Sequence, residues 1–146
     1  MKKTVVICCS AAFYKHANQI ADKLERMGYR AVVPETARNM KLGDDYDVAK
    51  VKTWLKNPAD FKRKQQLATN HLREVAEGDA ILIINDDKPG KPNYIGPNTM
   101  MEWGLAYHLR KPIFILHGVG KQAYNYEEVY GLSTVILDGD LSKIRL

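Results

Sequence analysis

Apolar residues along the chain fall into short blocks whose internal spacing alternates between a strand-like and a helix-like period. Positions 4–9, Thr4-Val5-Val6-Ile7-Cys8-Cys9, form a nearly unbroken apolar run and predict a first strand. The small-residue turn Ser10-Ala11-Ala12 follows. Ala17, Ile20, Ala21, Leu24 and Met27 then recur at helical spacing until Gly28 stops them, which predicts a β-turn-α unit. A second strand is expected over 30–33, ending at Pro34, and the polar positions 35–47 read as a loop or lid. A short helix is expected over 48–56. The next helix shows its start in Asn57-Pro58-Ala59-Asp60, with an N-cap, a proline at the first position and a carboxylate in the first turn. Phe61, Ala68, Leu72, Val75 and Ala76 would give it a buried face.

After the turn Glu77-Gly78-Asp79, the run Ala80-Ile81-Leu82-Ile83-Ile84 is apolar at every position, as a strand covered on both faces should be. A polar loop spans 85–97, and a helix is expected from near Asn98 to about Arg110. Strands over 112–116 and 134–137 enclose a short helix at 126–130, and 140–144 closes the chain. Strands alternating with helices predict one α/β domain over 1–146, a doubly wound five-stranded parallel sheet with helices on both faces. The expected strand order is 2-1-3-4-5, with 35–66 reading as a basic lid or a helical insertion. Ligands of such sheets bind at the carboxyl ends of the strands, where the strand order reverses. Here that point lies between strands 1 and 3, where the loops 10–14 and 85–98 meet.

Composition changes this picture little. With 45% hydrophobic and 27% charged residues the chain has a globular balance, and no apolar run approaches the ~20 residues of a membrane span. Met1-Lys2-Lys3 leads directly into the first strand without the pattern of a signal peptide, so a cytoplasmic location is expected. Cys8 and Cys9 are strand neighbours pointing to opposite faces, and read as reduced, buried thiols. His16, His71, His108 and His117 show no ligand spacing, so no metal site is expected. The net charge of +5 is concentrated between Arg38 and Lys64, where eight Lys or Arg face four Asp. That stretch suits either an anionic ligand or a solvated helix face, and it lacks the interleaved aromatics of a nucleic-acid surface.

Glu102 lies four positions after Asn98, so with Asn98 as N-cap its carboxylate would sit in the first turns of a helix, where the dipole favours the ionised form. An anion there serves as a nucleophile or as a structural counter-charge. Asn98 and Thr99 add an amide, a hydroxyl and free backbone N–H groups, which suit a phosphate or a sugar oxygen, although ordinary capping also accounts for Asn98.

The segment Thr99-Met100-Met101-Glu102-Trp103-Gly104-Leu105-Ala106, followed by Lys111-Pro112-Ile113, resembles the Gly-Thr-x-x-Glu-x-Gly-x-Ala and Gly-Lys-Pro-Ile motifs of the nucleoside 2-deoxyribosyltransferases and related nucleotide N-glycosidases. Ser10-Ala11-Ala12-Phe13, with Gly28-Tyr29 and Val32-Val33-Pro34, is similar to that family's first β-α-β unit, with Ser10 where a glycine is usual. Gly78-Asp79-Ala80 through Asn85-Asp86 resembles its third strand. The resemblance covers most of the chain and implies a flavodoxin-like domain that handles a nucleoside or nucleotide without a cofactor, with Glu102 as covalent nucleophile and copies of the chain assembled as a homo-oligomer.

Two positions depart from the pattern. Gly96 stands where the family has an acid six residues before the nucleophile, and Asn98 replaces the glycine of Gly-Thr. Protonation of the leaving base then falls to Asp86, Asp87 or Asp79, of which Asp86 is nearest the expected strand end, while Asp79 suits a capping role. Ser10, Ala12, Phe13, Tyr14, Asn85, Tyr94, Gly96, Asn98 and Thr99 are the expected substrate contacts, with Phe13 and Tyr14 offering either base stacking or core packing. Tyr94 and Ile95 match no motif and would shape the pocket mouth or meet a second subunit. Gly96 and Thr99-Met100-Met101-Glu102 also partly resemble the Pro-Gly-Gly-x-Gly-Thr-x-x-Glu signature of phosphoribohydrolases. A nucleotide-binding domain without catalysis is the alternative to an enzyme.

Overall fold

The computed structural model describes residues 1–146. Five parallel strands, β1 (Thr4–Cys9), β2 (Arg30–Val32), β3 (Ala80–Ile84), β4 (Ile113–Ile115) and β5 (Val135–Ile136), form one sheet in the order β2-β1-β3-β4-β5. This is the doubly wound α/β sheet expected from the alternation of periods. β3 is central and fully buried, and it runs in register with β1 from Val5 opposite Ala80 to Cys9 opposite Ile84.

Alternation along β1 and β3 divides the core into two layers. Val5, Ile7, Cys9, Leu82 and Ile84 face a layer with Ala17, Ile20 and Leu24 of α1 (Tyr14–Arg26) and Ala37 of α2 (Glu35–Gly43). Val6, Cys8, Ile81 and Ile83 face the other, with Val75 of α4 (Phe61–Glu77), Trp103 and Ala106 of α5 (Pro97–His108) and Val129 of α6 (Tyr126–Gly131). Cys8 and Cys9 are free, buried thiols in opposite layers. No helix is long and apolar enough to cross a membrane.

The structure corrects the sequence reading in several places. Positions 35–43 are helical rather than a loop: Pro34 caps α2, Ala37 and Met40 turn inward one helical step apart, and Asn18 of α1 donates to the Ala37 carbonyl at 2.9 Å. The expected helix over 48–56 divides into α3 (Val48–Val51) and a 3-10 turn at Thr53–Leu55 that buries Trp54. Asn57 does cap, accepting from the Ala59 N–H at 3.3 Å, but the turn it opens (Pro58–Asp60) precedes α4 proper. Phe61 is 51% exposed, and the fully inward residues of α4 are His71 and Val75. Met27 is also exposed.

Asp79 ties the start of β3 to β1, accepting from the Thr4 N–H at 2.7 Å beside Lys3 at 3.5 Å. That backbone hydrogen bond, with help from Lys3, holds its carboxyl below the ordinary range. A depressed folded-state pKa stabilises above the unfolded carboxylate value, and the contribution disappears as pH falls through the lower folded value. Denaturant titrations of Asp79→Asn between neutral and strongly acid pH are therefore expected to show a smaller stability loss on acidification than the unsubstituted chain.

Candidate functional site

α5 starts one residue earlier than its Asn98 signal indicates. Gly96 is the N-cap, Pro97 takes the first helical position where its missing N–H costs nothing, and Asn98 and Thr99 follow in the first turn. No side chain caps this end, and the Met100 N–H is bonded to the Gly96 carbonyl, so the N–H groups of Asn98 and Thr99 belong to the turn that the helix itself leaves unpaired. Glu102 consequently lies in the second turn, beyond the strongest part of the helix dipole, and the expected dipole stabilisation does not govern it.

Burial governs it instead. The i, i+3, i+4, i+7 face formed by Thr99, Glu102, Trp103 and Ala106 points inward, which leaves Glu102 only 9% exposed against β1 and α4. Its carboxylate, the Cys8 thiol and the His71 imidazole have donor atoms within 4.8 Å of one another. Glu102 Oε1 and His71 Nε2 are 3.9 Å apart. His71 is held from behind: Nδ1 lies 2.8 Å from Glu74 Oε2, and Glu74 Oε1 accepts from Arg38 at 3.0 Å. His71 Nε2 also lies 3.1 Å from the Ile7 carbonyl.

Desolvation raises the Glu102 carboxyl above its ordinary range, with the charges of His71 and Lys64 and a hydrogen bond involving Cys8 opposing it. Burial, and then Glu102, push the Cys8 thiol up. Burial acts upward on Glu74 as well, but the hydrogen bond with His71 and the Arg38 charge outweigh it and hold that carboxyl low. Lys64 is lowered, first by partial burial and then by Lys52. Beside Glu102 is a small cavity of about 50 Å³ lined also by Lys64, Leu67, Asn98 and Met101, large enough for water by the ~10–15 Å³ that one molecule requires.

The other expected residues divide around this centre. Asn98 lines the cavity with Glu102, and Thr99 is buried on the same helix face. Ser10 precedes a 3-10 turn (Ala11–Phe13) that leads into Tyr14; Phe13 packs into the α1 layer, whereas Ala12 is exposed. Tyr14 packs against the α1 layer, and burial raises its hydroxyl strongly, with Cys9 and Glu102 adding to it. Asp86 instead borders a separate cavity with Ala12, Phe13 and Lys15, where it pairs with His16 Nδ1 at 2.6 Å; His117 Nε2 is 3.9 Å from its other oxygen.

Asn85 is fully buried and spends its amide on backbone, donating to the His117 carbonyl at 2.8 Å and accepting from the His117 N–H at 2.9 Å. The loop over 85–96 carries one tight turn closed by an isolated bridge between Lys88 and Lys91. Lys88 and Lys91 exchange backbone hydrogen bonds, Asp87 accepts from the Asn93 N–H at 2.8 Å, and both lysines stack over the Tyr94 ring. A Cβ at Gly96 would lie 3.2 Å from the Tyr94 hydroxyl, so Tyr94 occupies the space next to the residue that departs from the family pattern. Tyr94 and Ile95 also border a larger cavity of about 920 Å³ with Met100, Tyr124 and Asn125.

Sequence reasoning did not find Cys8, His71 or Glu74 as neighbours of Glu102. Their only trace in the chain is a histidine on the inward stripe of α4, in line with Val75 and with Lys64 two turns earlier. No protein-family model matches the chain, and a search of curated proteins gives no match either.

Proposed function

We propose that the chain cleaves or transfers the N-glycosidic bond of a nucleoside or nucleoside monophosphate, with Glu102 as the nucleophile. The observation that carries this reading is a buried carboxylate opening on a cavity next to the unpaired N–H groups of a helix start, on the sheet layer behind β1 and β3. In the first step a Glu102 oxygen bonds the anomeric carbon while the carbon–nitrogen bond breaks, its electron pair leaving with the base. The base gains a proton, for which Asp86, in the loop after β3 and paired with His16 of α1, is the candidate acid, reached by a base that extends toward that separate cavity. Water then hydrolyses the ester to free sugar and carboxylate, or an acceptor base takes the sugar. His71 and Lys64 favour the ionised carboxylate that the first step needs. The Asn98 and Thr99 N–H groups suit an anionic phosphate or a sugar oxygen.

Gly96 favours a second reading, a nucleotide-binding domain without turnover, because Tyr94 rather than an acid fills the space beside it. Incubation with a panel of nucleosides and monophosphates, with and without acceptor base, separates the two. Free base detected by chromatography supports the enzyme. Absence of base together with a nucleotide-dependent rise in melting temperature supports the binding domain, since a ligand of the native state alone stabilises it.

A further inference from the structure

We propose that Cys8, His71 and Glu102 form a site for one zinc-class divalent ion and that the bound ion occupies the Glu102 carboxylate, switching off its attack on substrate. The binding half stands on the geometry of three side chains; the inhibitory half rests on the function proposed above.

The donors are a sulfur, an imidazole nitrogen and a carboxylate oxygen, all buried and within 4.8 Å of one another. Zinc bond lengths of about 2.0–2.3 Å in a tetrahedron separate ligand atoms by about 3.5 Å. The 3.9 Å between His71 Nε2 and Glu102 Oε1 is already close to that, and small side-chain rotations close the rest. Sulfur and imidazole disfavour magnesium and calcium, which take oxygen ligands, and favour zinc and its late transition-metal neighbours. Thiolate and carboxylate together neutralise a divalent charge, which suits a dry interior better than either anion alone. The Cys8 thiol proton leaves to solvent as the sulfur–metal bond forms. The adjoining cavity of about 50 Å³ accommodates a water as the fourth ligand.

Two further observations concern His71. Its Nδ1 sits on Glu74, itself held by Arg38, and a carboxylate behind a histidine is the usual outer support of a metal-binding ring, fixing the tautomer that presents Nε2. With the single ring proton given to Glu74, Nε2 and the Ile7 carbonyl oxygen at 3.1 Å are two acceptors facing each other. Swinging Nε2 off the Ile7 carbonyl and onto an ion toward Glu102 relieves that conflict, as does a second ring proton.

The full chain, stripped with a chelator, is titrated with zinc and separately with magnesium, following stoichiometry and melting temperature, and cobalt is used as an optical probe. The expected result is one zinc per chain, no effect of magnesium, and a thiolate-to-cobalt charge-transfer band that Cys8→Ser removes. Glu74→Gln, which touches no metal, is expected to weaken zinc about 10–100-fold. Absence of stoichiometric zinc binding overturns the site. So does zinc binding indifferent to both Cys8→Ser and His71→Asn, or a doubly protonated His71 seen by NMR in the zinc-treated protein. For the inhibitory half, base release by the stripped chain should fall in proportion to zinc added and return with chelator; undiminished release overturns it. If the stripped chain releases no base while zinc still binds through Cys8, the N-glycosidase reading has failed and inhibition falls with it, whereas the metal site is supported.

Discussion

Glu102→Gln is expected to lower base release at least about 10³-fold while leaving the melting temperature unchanged or higher. Glutamine keeps the volume and the reach toward His71 but cannot form the glycosyl ester, so the chemical step is lost and packing is retained. The stability arm distinguishes a functional acid from a structural one. Glu102 is 9% exposed in an environment whose largest influence is desolvation, an arrangement that costs free energy at neutral pH and is only partly offset by His71 and Lys64. Removing the charge therefore relieves the fold. A counter-charge kept for stability behaves the other way: its removal leaves the imidazole with Glu74 alone and lowers the melting temperature. Thermal scans and base-release assays on the same chelator-treated preparation decide between the two, and full turnover by Glu102→Gln would eliminate the nucleophile.

How far the chain discloses this site depends on the range over which its signals act. β3 was legible because every side chain of Ala80–Ile84 is apolar, which only a strand covered on both faces requires; alternating β and α periods indicated a parallel sheet, while its order, β2-β1-β3-β4-β5, is one of several that right-handed crossovers allow. α2 was not legible, because only two inward contacts, Ala37 and Met40, anchor a helix whose other residues are polar or, like Leu42, exposed. The start of α5 moved from Asn98 to Pro97 because capping by Gly96 uses backbone alone and leaves no side-chain signature. Glu102 could be singled out by its motif and helix position, but its real surroundings are tertiary. Cys8 comes from β1 and His71 from α4, and nothing in their spacing along the chain brings them to one carboxylate. The energetic consequence reversed accordingly: proximity to a helix start suggested an easily ionised acid, whereas the packing of α4 and β1 desolvates it.

Asn85→Ala is expected to cost about 2–4 kcal/mol and to lower the melting temperature by about 5–10 °C, with no selective loss of substrate binding. The sequence places Asn85 in the loop after β3, where a polar side chain suggests a ligand contact. In the fold it clamps that loop to the one after β4: its amide donates to the His117 carbonyl and accepts from the His117 N–H, a pair of hydrogen bonds like those a neighbouring strand would make. Alanine removes both partners at once and leaves two backbone groups with nothing in the protein to satisfy them, each costing about 1–3 kcal/mol. Asn85→Asp tests the assignment more sharply, because it keeps the acceptor for the His117 N–H and turns the donor into an anion facing a carbonyl. Stability should therefore fall for aspartate as well as for alanine. An Asn85 that served mainly as a ligand contact would instead leave both variants as stable as the parent and raise KM, and that result would reassign the residue from holding the β3 and β4 loops together to binding substrate.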